Sequence, residues 1–427
     1  MKNDIIRCEC VDMSVDGLGI AKHDGLVIFV KKMIPGEIAD VKIILEKKNY
    51  SIGIIDKLIK VSDNRRDYDC PVAYKCGGCD FRHISYEYQL QLKENLLKNT
   101  LADFKITNII KADNPYHYRN KVQMPFRNNK MGFYRKNTND IVECDNCLIE
   151  SELANEILKD LKSLLIDENI NKHLRHIIIK HGKKTNEVML CFVSDDFNID
   201  LSKVVNSISN KYPMIKSIIL NLNDKDTNVI IGEKEKILYG VDYIYDELDG
   251  LKIKISLKSF YQVNHEQMLK LYNKVLELSS INFDCRVLDL YCGIGTISLY
   301  LSRFSKSVTG VEIVKEAVSN AIDNARMNNI ENAEFILADA SRNMDEYLLD
   351  KDVVIVDPPR KGISKELINS LKNSNIKTIV YVSCNPATLN RDLHLLKDTY
   401  DIGTIYPVDM FPFTTHVEAV CCLQIKK

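Results

Sequence analysis

Arg286-Val-Leu-Asp-Leu-Tyr-Cys-Gly-Ile-Gly-Thr296 is the stretch that decides the fold of the C-terminal part of this chain. Its first residues are largely apolar, which predicts a buried strand, and its two glycines predict a tight turn. A helical pattern follows the second glycine. A strand, a glycine turn and a helix in this order are typical of a ligand-binding α/β sheet, because glycine lets the main chain approach a ligand closely.

Strands and helices alternate over the last third of the chain, which predicts a doubly wound parallel sheet. The second strand, Ser307-Val-Thr-Gly-Val311, leads to Glu312, twenty-three residues after Asp289. An acid at this place hydrogen-bonds ribose hydroxyls in nucleotide-binding folds. The third strand, Glu334 to Leu337, leads to Asp339, which is placed to face an adenine.

The glycine turn alone fits NAD, another nucleotide or S-adenosylmethionine. It holds a single Gly-x-Gly, from Gly293 to Gly295, and lacks the third glycine that a pyrophosphate site favours. S-adenosylmethionine carries no phosphate, so the short turn favours this cofactor. Together with Glu312 and the run Asp357-Pro-Pro359, the turn resembles the class I methyltransferases, whose strand-end acids and glycine loop hold S-adenosylmethionine.

A single cysteine, Cys384, follows the buried-strand pattern Thr378-Ile-Val-Tyr-Val382. Ligands and catalytic groups collect at the carboxyl ends of strands in an open α/β sheet, so this cysteine is a candidate nucleophile. A lone cysteine is more often a small core residue. Asp357, which ends another buried-strand run, and Glu418, within a C-terminal strand pattern, favour the catalytic interpretation.

These residue types suit methylation at carbon 5 of a pyrimidine. That carbon is a poor nucleophile until a group adds at carbon 6, a step that we assign to Cys384. A general base must later remove the proton from carbon 5, a step that we assign to Glu418, although a surface carboxylate at a strand edge is the alternative. We expect basic neighbours or the helix predicted from Ala387 to lower the pKa of Cys384, and apolar neighbours to raise that of Glu418.

The 427-residue chain carries a formal net charge of −1 and is 45% hydrophobic. This composition predicts a soluble protein of about two to four domains and neither requires nor excludes a polyanionic partner. No apolar run approaches the roughly 20 residues that cross a bilayer, and a signal-peptide pattern is missing, so we expect a cytoplasmic protein with no membrane partner. Thirteen cysteines then favour a metal or cluster site and a reactive thiol over disulfides.

The first 60 residues alternate short β segments with glycine turns, which predicts a small barrel. Strands are expected at Leu26–Val30, Ala39–Leu45 and Tyr50–Ile55. An OB-like module that binds nucleic acid and a generic β-barrel without such a partner are both open from these residues alone.

A basic and aromatic region follows the barrel. Between Arg82 and Lys136 there are eleven Lys or Arg residues against four Asp or Glu, with eight Tyr or Phe residues among them. Basic groups neutralise phosphates and aromatic rings stack on unpaired bases, so this mixture suits single-stranded RNA or DNA. A solvated helix at Leu90–Leu101 explains part of the charge. The better contact candidates are Arg119, Lys121, Arg127, Arg135 and Lys136.

Five motifs together resemble the RumA/TrmA group of RNA uracil-5 methyltransferases over the whole chain. They are Ser259-Phe-Tyr-Gln-Val-Asn264, Leu288-Asp-Leu-Tyr-Cys-Gly-Ile-Gly295, Asp357-Pro-Pro-Arg-Lys-Gly362, Val382-Ser-Cys-Asn-Pro386 and His416-Val-Glu-Ala-Val420. The resemblance implies that S-adenosylmethionine is bound by Gln262, Tyr291, Glu312 and Asp357, and it matches Cys384 and Glu418 to the catalytic pair. The N-terminal segment resembles the TRAM domain, an OB-like RNA-binding module, which favours RNA over DNA.

Cys70, Cys76 and Cys79 form a compact set of three thiols that needs a fourth ligand. Zinc and iron-sulfur clusters both accept four cysteines, and the spacing alone does not separate them. The resemblance to RumA-type enzymes implies a 4Fe-4S cluster with a structural role and a fourth ligand near residue 145. Cys147 fits that position better than Cys144. The remaining cysteines other than Cys384 are interpreted as packing residues.

The expected fold is thus α/β, with three parts. They are an OB-like TRAM barrel (1–60), a central α+β iron-sulfur and RNA-binding domain (61–255), and a Rossmann-like class I methyltransferase domain (256–427). We expect a monomeric enzyme that makes 5-methyluridine in 23S rRNA through a covalent Cys-uracil adduct. The same chemistry on tRNA is the second expectation. A non-catalytic RNA-binding module and a nicotinamide-dependent oxidoreductase are alternatives of other classes.

Overall fold

The apolar patterns of the sequence form a barrel, two larger sheets and a hairpin in this computed structural model, which describes residues 3–168, 170, 172–225, 227–342 and 344–426. The strands are β1 (Ile5–Met13), β2 (Leu18–His23), β3 (Leu26–Lys31), β4 (Ile38–Glu46), β5 (Tyr50–Lys60), β6 (Lys121–Arg127), β7 (Lys130–Tyr134), β8 (Ile141–Glu143), β9 (Leu174–His181), β10 (Val188–Ser194), β11 (Ile215–Leu222), β12 (Lys234–Gly240), β13 (Tyr243–Leu248), β14 (Leu251–Ser256), β15 (Arg286–Leu290), β16 (Ser307–Glu312), β17 (Ala333–Leu337), β18 (Val353–Val356), β19 (Thr378–Ser383), β20 (Tyr400–Val408) and β21 (Glu418–Ile425). The helices are α1 (Tyr86–Thr100), α2 (Glu152–Asp167), α3 (Ser202–Lys211), α4 (His265–Ser279), α5 (Thr296–Ser302), α6 (Lys315–Met327), α7 (Asp345–Leu348), α8 (Lys365–Asn373) and α9 (Pro386–Leu396).

The first five strands close into a barrel in the order β1-β2-β3-β5-β4. Residues alternate between the barrel interior and its surface, as the period of a strand requires. In β1, for example, Ile6, Cys8 and Cys10 point inward and are buried. The predicted small barrel is therefore confirmed, and these two cysteines are packing residues within it.

The central sheet has the strand order β12-β11-β10-β9-β6-β7-β8. Its strands β9 and β10 are buried on both faces. Ile177 and Leu190 pack with the apolar sides of α2 and α3, whereas Ile178 and Cys191 face the core that contains the β13–β14 hairpin and α4. A sheet covered on both sides explains why these segments read as continuous apolar runs.

The C-terminal sheet has the order β17-β16-β15-β18-β19-β21-β20. Its first five strands are parallel, while β21 runs antiparallel to both β19 and β20. Apolar side chains fill both faces, so the sheet is a two-sided core as in doubly wound folds. The expected α/β class and class I methyltransferase architecture are confirmed. The carboxyl ends of β15, β16, β18 and β19 lie at one edge.

Helix α1 differs from the sequence-based prediction, because it begins at Tyr86 rather than at Leu90. Its polar residues Gln89 and Lys93 are buried, and their side chains donate hydrogen bonds to loops of the protein. A hydrophobic pattern does not register such polar anchors, so only one side of the helix, which includes Lys98, is the solvated face that was expected. In the described part of the chain, no helix is long and apolar enough to span a membrane.

Candidate active site

The register of the C-terminal sheet brings the predicted residues to one edge. Leu290 pairs with both Val311 and Val356, so the residues that follow these strands, Tyr291 and Asp357, are neighbours beside Glu312. Strand β19 pairs with β18 on one side and with β21 on the other. Tyr291, Glu312, Asp357 and Cys384 therefore share the carboxyl edge, which is the usual ligand site of open α/β sheets.

Cys384 and Glu418 come together through antiparallel pairing. Ser383 is paired with Ala419 in antiparallel register. Cys384, which directly follows β19, therefore lies opposite Glu418, the first residue of β21. Cys384 is half-buried, between the end of β19 and the start of α9, and Glu418 is only 4% exposed. A thiol and a carboxyl group thus stand next to each other beneath the surface of the site.

The electrostatics of the thiol are opposite to the expectation. Burial, together with the charges of Glu418 and Asp357, raises the pKa of Cys384 to about 11, while Arg360 acts in the lowering direction. The expected lowering was wrong because burial and the two acids outweigh the basic neighbour. The N-terminus of α9 is also capped by its own Asn385, whose Oδ1 accepts a hydrogen bond from the Ala387 N–H at 3.1 Å.

The two carboxyl groups beside the thiol both have raised pKa values. Burial raises the pKa of Glu418 well above its ordinary value, and the charge of Asp357 adds to this effect. The raised pKa that its apolar neighbours predicted is therefore confirmed. Burial also raises the pKa of Asp357 to about 6. A site with two such acids can donate, accept and hold protons near neutral pH.

Arg360 is a site residue that the sequence left without a role. Its charge opposes the raised pKa values of both Cys384 and Glu418, and its Nη2 lies 3.4 Å from His416 Nε2. Its main-chain carbonyl accepts a hydrogen bond from Asn385 Nδ2 at 2.9 Å, which ties the two strand-end loops together. Its place directly after Asp-Pro-Pro was the available signal.

The glycine turn presents Tyr291 and Glu312. Tyr291 has a φ of +66°, a left-handed conformation that costs a non-glycine residue about 1–3 kcal/mol and is found mainly at functional sites. Glu312 accepts hydrogen bonds from the Gly293 N–H at 3.1 Å and the Val314 N–H at 2.8 Å. The carboxylate therefore fixes the turn.

Asp339 lies in the loop after β17 and accepts hydrogen bonds from the main chain and hydroxyl group of Ser341.

Gln262 lies in the buried loop between β14 and α4. Its main-chain carbonyl accepts a hydrogen bond from Asn120 Nδ2 at 2.9 Å, and the carbonyl of Val263 accepts one from the Asn120 N–H. The loop is thus anchored to the start of the central sheet, while α4 packs against β19 and β21 of the C-terminal sheet. Gln262 stands where the two sheets meet.

Five cysteines of the first half line one cavity of about 290 Å³. Its thiols are those of Cys70, Cys76, Cys79, Cys144 and Cys147. Burial, together with the thiols of Cys147, Cys76 and Cys70, raises the pKa of Cys79 to about 12, so these four are close neighbours. Among the described residues, no group of three or more His, Cys, Asp or Glu side chains is arranged to hold a single metal ion.

The same cavity contains cationic groups. Arg82 and Arg119 line it, and both side chains are withdrawn from solvent. Arg82 Nη1 and Arg119 Nε are buried and have no hydrogen-bond partner within the described residues. Buried donors of this kind require an acceptor, and buried cations require a negative charge. Arg82 Nη1 lies 3.5 Å from Asp69 Oδ2, and the charge of Glu150 acts on Arg119, so both cations already have an acidic neighbour. The two unpartnered donors are what an acceptor bound among the cysteines would satisfy.

Several residues of the basic region are not free surface groups. Arg119 faces the cysteine cavity, and burial lowers the pKa of Lys121 beside it. Tyr118 and Phe126 are core residues. Arg127 and Arg135 are exposed as predicted, and the Lys136 ammonium group donates to Asp80 Oδ1 at 2.7 Å. The charge count did not reveal the burial of these individual side chains.

Comparisons with known proteins agree with this geometry. The family model for tRNA (uracil-5-)-methyltransferases matches residues 85–426, and the model for the TRAM domain matches residues 12–55. A Bacillus cereus protein described as an uncharacterized RNA methyltransferase is 42% identical over 447 residues, covering 99% of this chain and 98% of that protein. A Clostridium acetobutylicum protein of the same description is 40% identical, covering 99% of this chain and 97% of that protein.

A solved structure matches over nearly the full length. It is Pyrococcus abyssi tRNA (uracil-54, C5)-methyltransferase in complex with S-adenosyl-L-homocysteine, with a TM-score of 0.80 and 29% identity, covering 98% of this chain and 100% of that chain. The resemblance that the motifs indicated is thereby confirmed, including the TRAM barrel. The chain belongs to the RNA (uracil-5-)-methyltransferase family.

Proposed function

We propose that this protein transfers a methyl group from S-adenosylmethionine to carbon 5 of a uridine in RNA, through a covalent bond between Cys384 and the uracil. The observation that supports it best is the pairing of β19 with β21, which sets Cys384 beside Glu418 and next to Asp357. Neither direct methylation of an exocyclic amine nor hydride transfer needs a thiol and a buried base at this place.

The residues of the site account for each bond change. The sulfur of Cys384 adds to carbon 6 of a uracil taken out of its stack, and the electrons of the carbon 5–carbon 6 double bond move to form an enolate. S-adenosylmethionine, when bound, supplies the electrophilic methyl group for carbon 5 and a positive charge. Glu418 then accepts the proton of carbon 5, the double bond re-forms, and the carbon–sulfur bond breaks to release Cys384.

The thiol must lose its proton before it attacks. With a pKa of about 11 it is almost fully protonated at neutral pH, and Arg360 is the neighbouring group that favours the thiolate. A positively charged methyl donor acts in the same direction. Burial, aided by the negative charge of the neighbouring acids, would thus keep the nucleophile protonated until the donor is present.

The donor is proposed to be held by Gln262, Tyr291, Glu312 and Asp357. Their positions at or beside the carboxyl edge of the sheet support this assignment. The Pyrococcus abyssi enzyme is described as a complex with S-adenosyl-L-homocysteine, and its chain is covered completely by the alignment. Equilibrium binding of S-adenosylmethionine against NAD would separate this proposal from a nicotinamide-dependent oxidoreductase.

For the RNA, we propose uridine in 23S rRNA as the substrate, on the basis of the TRAM barrel and the cysteine set. A specific observation favours a second candidate: the matching family model and the matching solved structure both carry tRNA in their names. The exposed Arg127 and Arg135 are available to either RNA. We further propose that the enzyme acts as a monomer in the cytoplasm.

For the cysteine cavity, we propose a 4Fe-4S cluster held by Cys70, Cys76, Cys79 and Cys147. A zinc ion needs thiolates that meet at about 2.3 Å from one point, whereas a cluster of iron and sulfide occupies space between its ligands. The cavity of about 290 Å³ suits the second arrangement, and the unpartnered Arg82 and Arg119 donors suit an anionic group. The cluster would order the surrounding loops and takes no part in methyl transfer.

Two measurements test the proposed function. Mapping of 5-methyluridine by mass spectrometry in ribosomal and transfer RNA from a deletion strain should show one lost modification and so name the substrate. With that RNA and S-adenosylmethionine, Glu418→Gln should trap a covalent protein–RNA adduct that survives denaturing electrophoresis. Unchanged RNA in the deletion strain, or full turnover by Glu418→Gln without adduct, would contradict the proposal.

A further inference from the structure

The loop of residues 409–417 joins β20 to β21 and ends directly before Glu418. It is bound to the segment that follows Cys79. The main-chain N–H groups of Asp80 and Phe81 both donate to the Phe413 carbonyl, at 2.9 and 3.0 Å. The Asp80 carboxylate accepts a hydrogen bond from the Thr415 N–H at 3.3 Å. The cysteine segment and the 409–417 loop therefore hold each other through main-chain contacts.

The same loop reaches the cysteine cavity from one side and the active site from the other. Thr414 and His416 line the cavity together with Cys79. His416 Nε2 lies 3.4 Å from Arg360 Nη2, and Arg360 acts electrostatically on both Cys384 and Glu418. Only Val417 separates His416 from Glu418 in the chain. The cysteine cavity and the active site thus share one short connection.

The rest of the loop is fixed by the first half of the chain. Lys93 donates to Asp409 Oδ1 and to the Phe411 carbonyl, and the Phe413 N–H donates to Gln89 Oε1 at 3.1 Å. The guanidinium group of Arg82 lies 4.0 Å from the centre of the Phe413 ring. These contacts hold residues 409–413. The Asp80 carboxylate holds Thr415, and the next residue, His416, donates from its N–H to Thr414 Oγ1 at 3.2 Å.

The barrel supports Asp80 from behind. Lys32 Nζ donates to the carbonyls of Cys79 and Asp80, at 3.2 and 3.0 Å, and Lys136 Nζ donates to Asp80 Oδ1. One carboxylate oxygen of Asp80 therefore accepts from the Lys136 ammonium group, and the other accepts from the Thr415 N–H of the loop. Glu418 is the first residue of β21. Pairing of β21 with β20 therefore fixes the main chain from Glu418 onward, and the 409–417 loop fixes the main chain before it.

We propose that Asp80 is a positioning residue for the general base Glu418, and that through Asp80 the cysteine site controls the proton-removal step of methyl transfer. This inference rests on the proposed function. Asp80 does not touch the reacting groups, so its loss should leave attack by Cys384 and methyl transfer in place. A displaced Glu418 removes the carbon 5 proton more slowly, and the methylated Cys384–uracil adduct then accumulates before the carbon–sulfur bond breaks.

The experiment compares Asp80→Ala, Asp80→Asn and the control Asp145→Ala in the full chain. Asp145 lies between Cys144 and Cys147 in the chain and pairs with Lys162 instead of the loop. A small misplacement of a catalytic group can cost about 10²-fold, so Asp80→Ala should release methylated RNA about ten- to a hundredfold more slowly, with the adduct enriched on denaturing gels. Asp80→Asn keeps an acceptor for the Thr415 N–H and should restore release.

A second readout does not depend on activity. Hydrogen exchange of the 411–417 amides should be faster in Asp80→Ala than in wild type or Asp145→Ala, with the iron content and RNA affinity unchanged. If Asp80→Ala does not fold, Cys79→Ser should produce the same local increase in exchange. Equal adduct levels and equal exchange in Asp80→Ala and Asp145→Ala would overturn the inference. Should Glu418→Gln itself trap no adduct, the proposed function fails instead.

Discussion

Cys384 shows how neighbouring charges set the reactivity of one residue. Burial raises the pKa of the thiol most, the charges of Glu418 and Asp357 raise it as well, and Arg360 is the cation that lowers it. A thiolate is the reactive form of cysteine. The protein without its methyl donor therefore holds a weak nucleophile, and a strong nucleophile needs positive charge at the carboxyl edge of the sheet.

The first prediction concerns the pH dependence of this thiol. With a pKa of about 11, the rate at which iodoacetamide labels Cys384 in the donor-free protein should rise about tenfold per pH unit and still be rising at about pH 9.5. Arg360→Gln removes the group that lowers the pKa and should slow labelling at a given pH. Mass spectrometry of the Cys384 peptide measures both rates. A plateau below about pH 8 would contradict the prediction.

The second prediction separates the nucleophile from the donor site. Cys384→Ala should abolish turnover and adduct formation while S-adenosylmethionine affinity, measured by calorimetry, stays nearly unchanged, because the thiol contacts the uracil rather than the donor. Cys285→Ala is the matched control, since this half-buried cysteine precedes β15 at the opposite edge of the sheet. Turnover by Cys384→Ala at the level of the control would refute the assigned role.

At the scale of elements, α1 is attached to the C-terminal sheet by polar side chains. Lys93 is 1% exposed, forms an ion pair with the fully buried Asp409, and Tyr86 donates to the second oxygen of Asp409 at 2.7 Å. Ile106 and Ile110, just beyond the helix, form parallel bridges to β20. The segment between the barrel and the central sheet thus helps to hold the 409–417 loop in place.

The third prediction tests this attachment. Lys93→Ala leaves Asp409 buried without its cation and should lower the free energy of unfolding by about 3–5 kcal/mol. Lys98→Ala, in the same helix, removes a cation that is 53% exposed and 3.9 Å from Glu94, and should change stability by no more than about 0.5 kcal/mol. Chemical denaturation followed by circular dichroism compares the two. A similar loss of unfolding free energy in both variants would show that the buried Lys93–Asp409 pair does not stabilise the fold more than the exposed pair.

At the scale of the whole molecule, three parts of the protein meet around the 409–417 loop. The barrel approaches it through Gly17 and Lys32, and the cysteine segment contacts it through Asp80. The C-terminal sheet continues from it at Glu418. Gly17 has a φ of +76°, and a Cβ there would lie 2.8 Å from Thr415 Cγ2. We propose domain limits at 60/61 and 255/256, with contacts across both limits that hold the site together.

The fourth prediction identifies the fourth ligand of the cysteine site. Cys147→Ser should lose bound iron and sulfide, because the Cys147 main chain is fixed by two hydrogen bonds with the Asn155 side chain and its thiol lies among the other three. Cys144→Ser should retain the iron. Metal analysis and the visible absorption of anaerobically purified protein measure the outcome. An aerobic preparation that is colourless and binds stoichiometric zinc would contradict the cluster.

The sequence by itself determined the alternation of strands and helices, the glycine turn, and the residues that end each strand, because apolar period and turn residues are local signals. It also indicated Cys384, Glu418 and the cysteine set. The tertiary structure alone decided that β21 pairs with β19 and so brings Glu418 to Cys384, that Lys93 is buried, that Arg119 faces the cysteine cavity, and that the pKa of the thiol is raised. These properties depend on contacts between residues far apart in the chain, and strand pairing, burial and neighbouring charge exist only once the chain has folded.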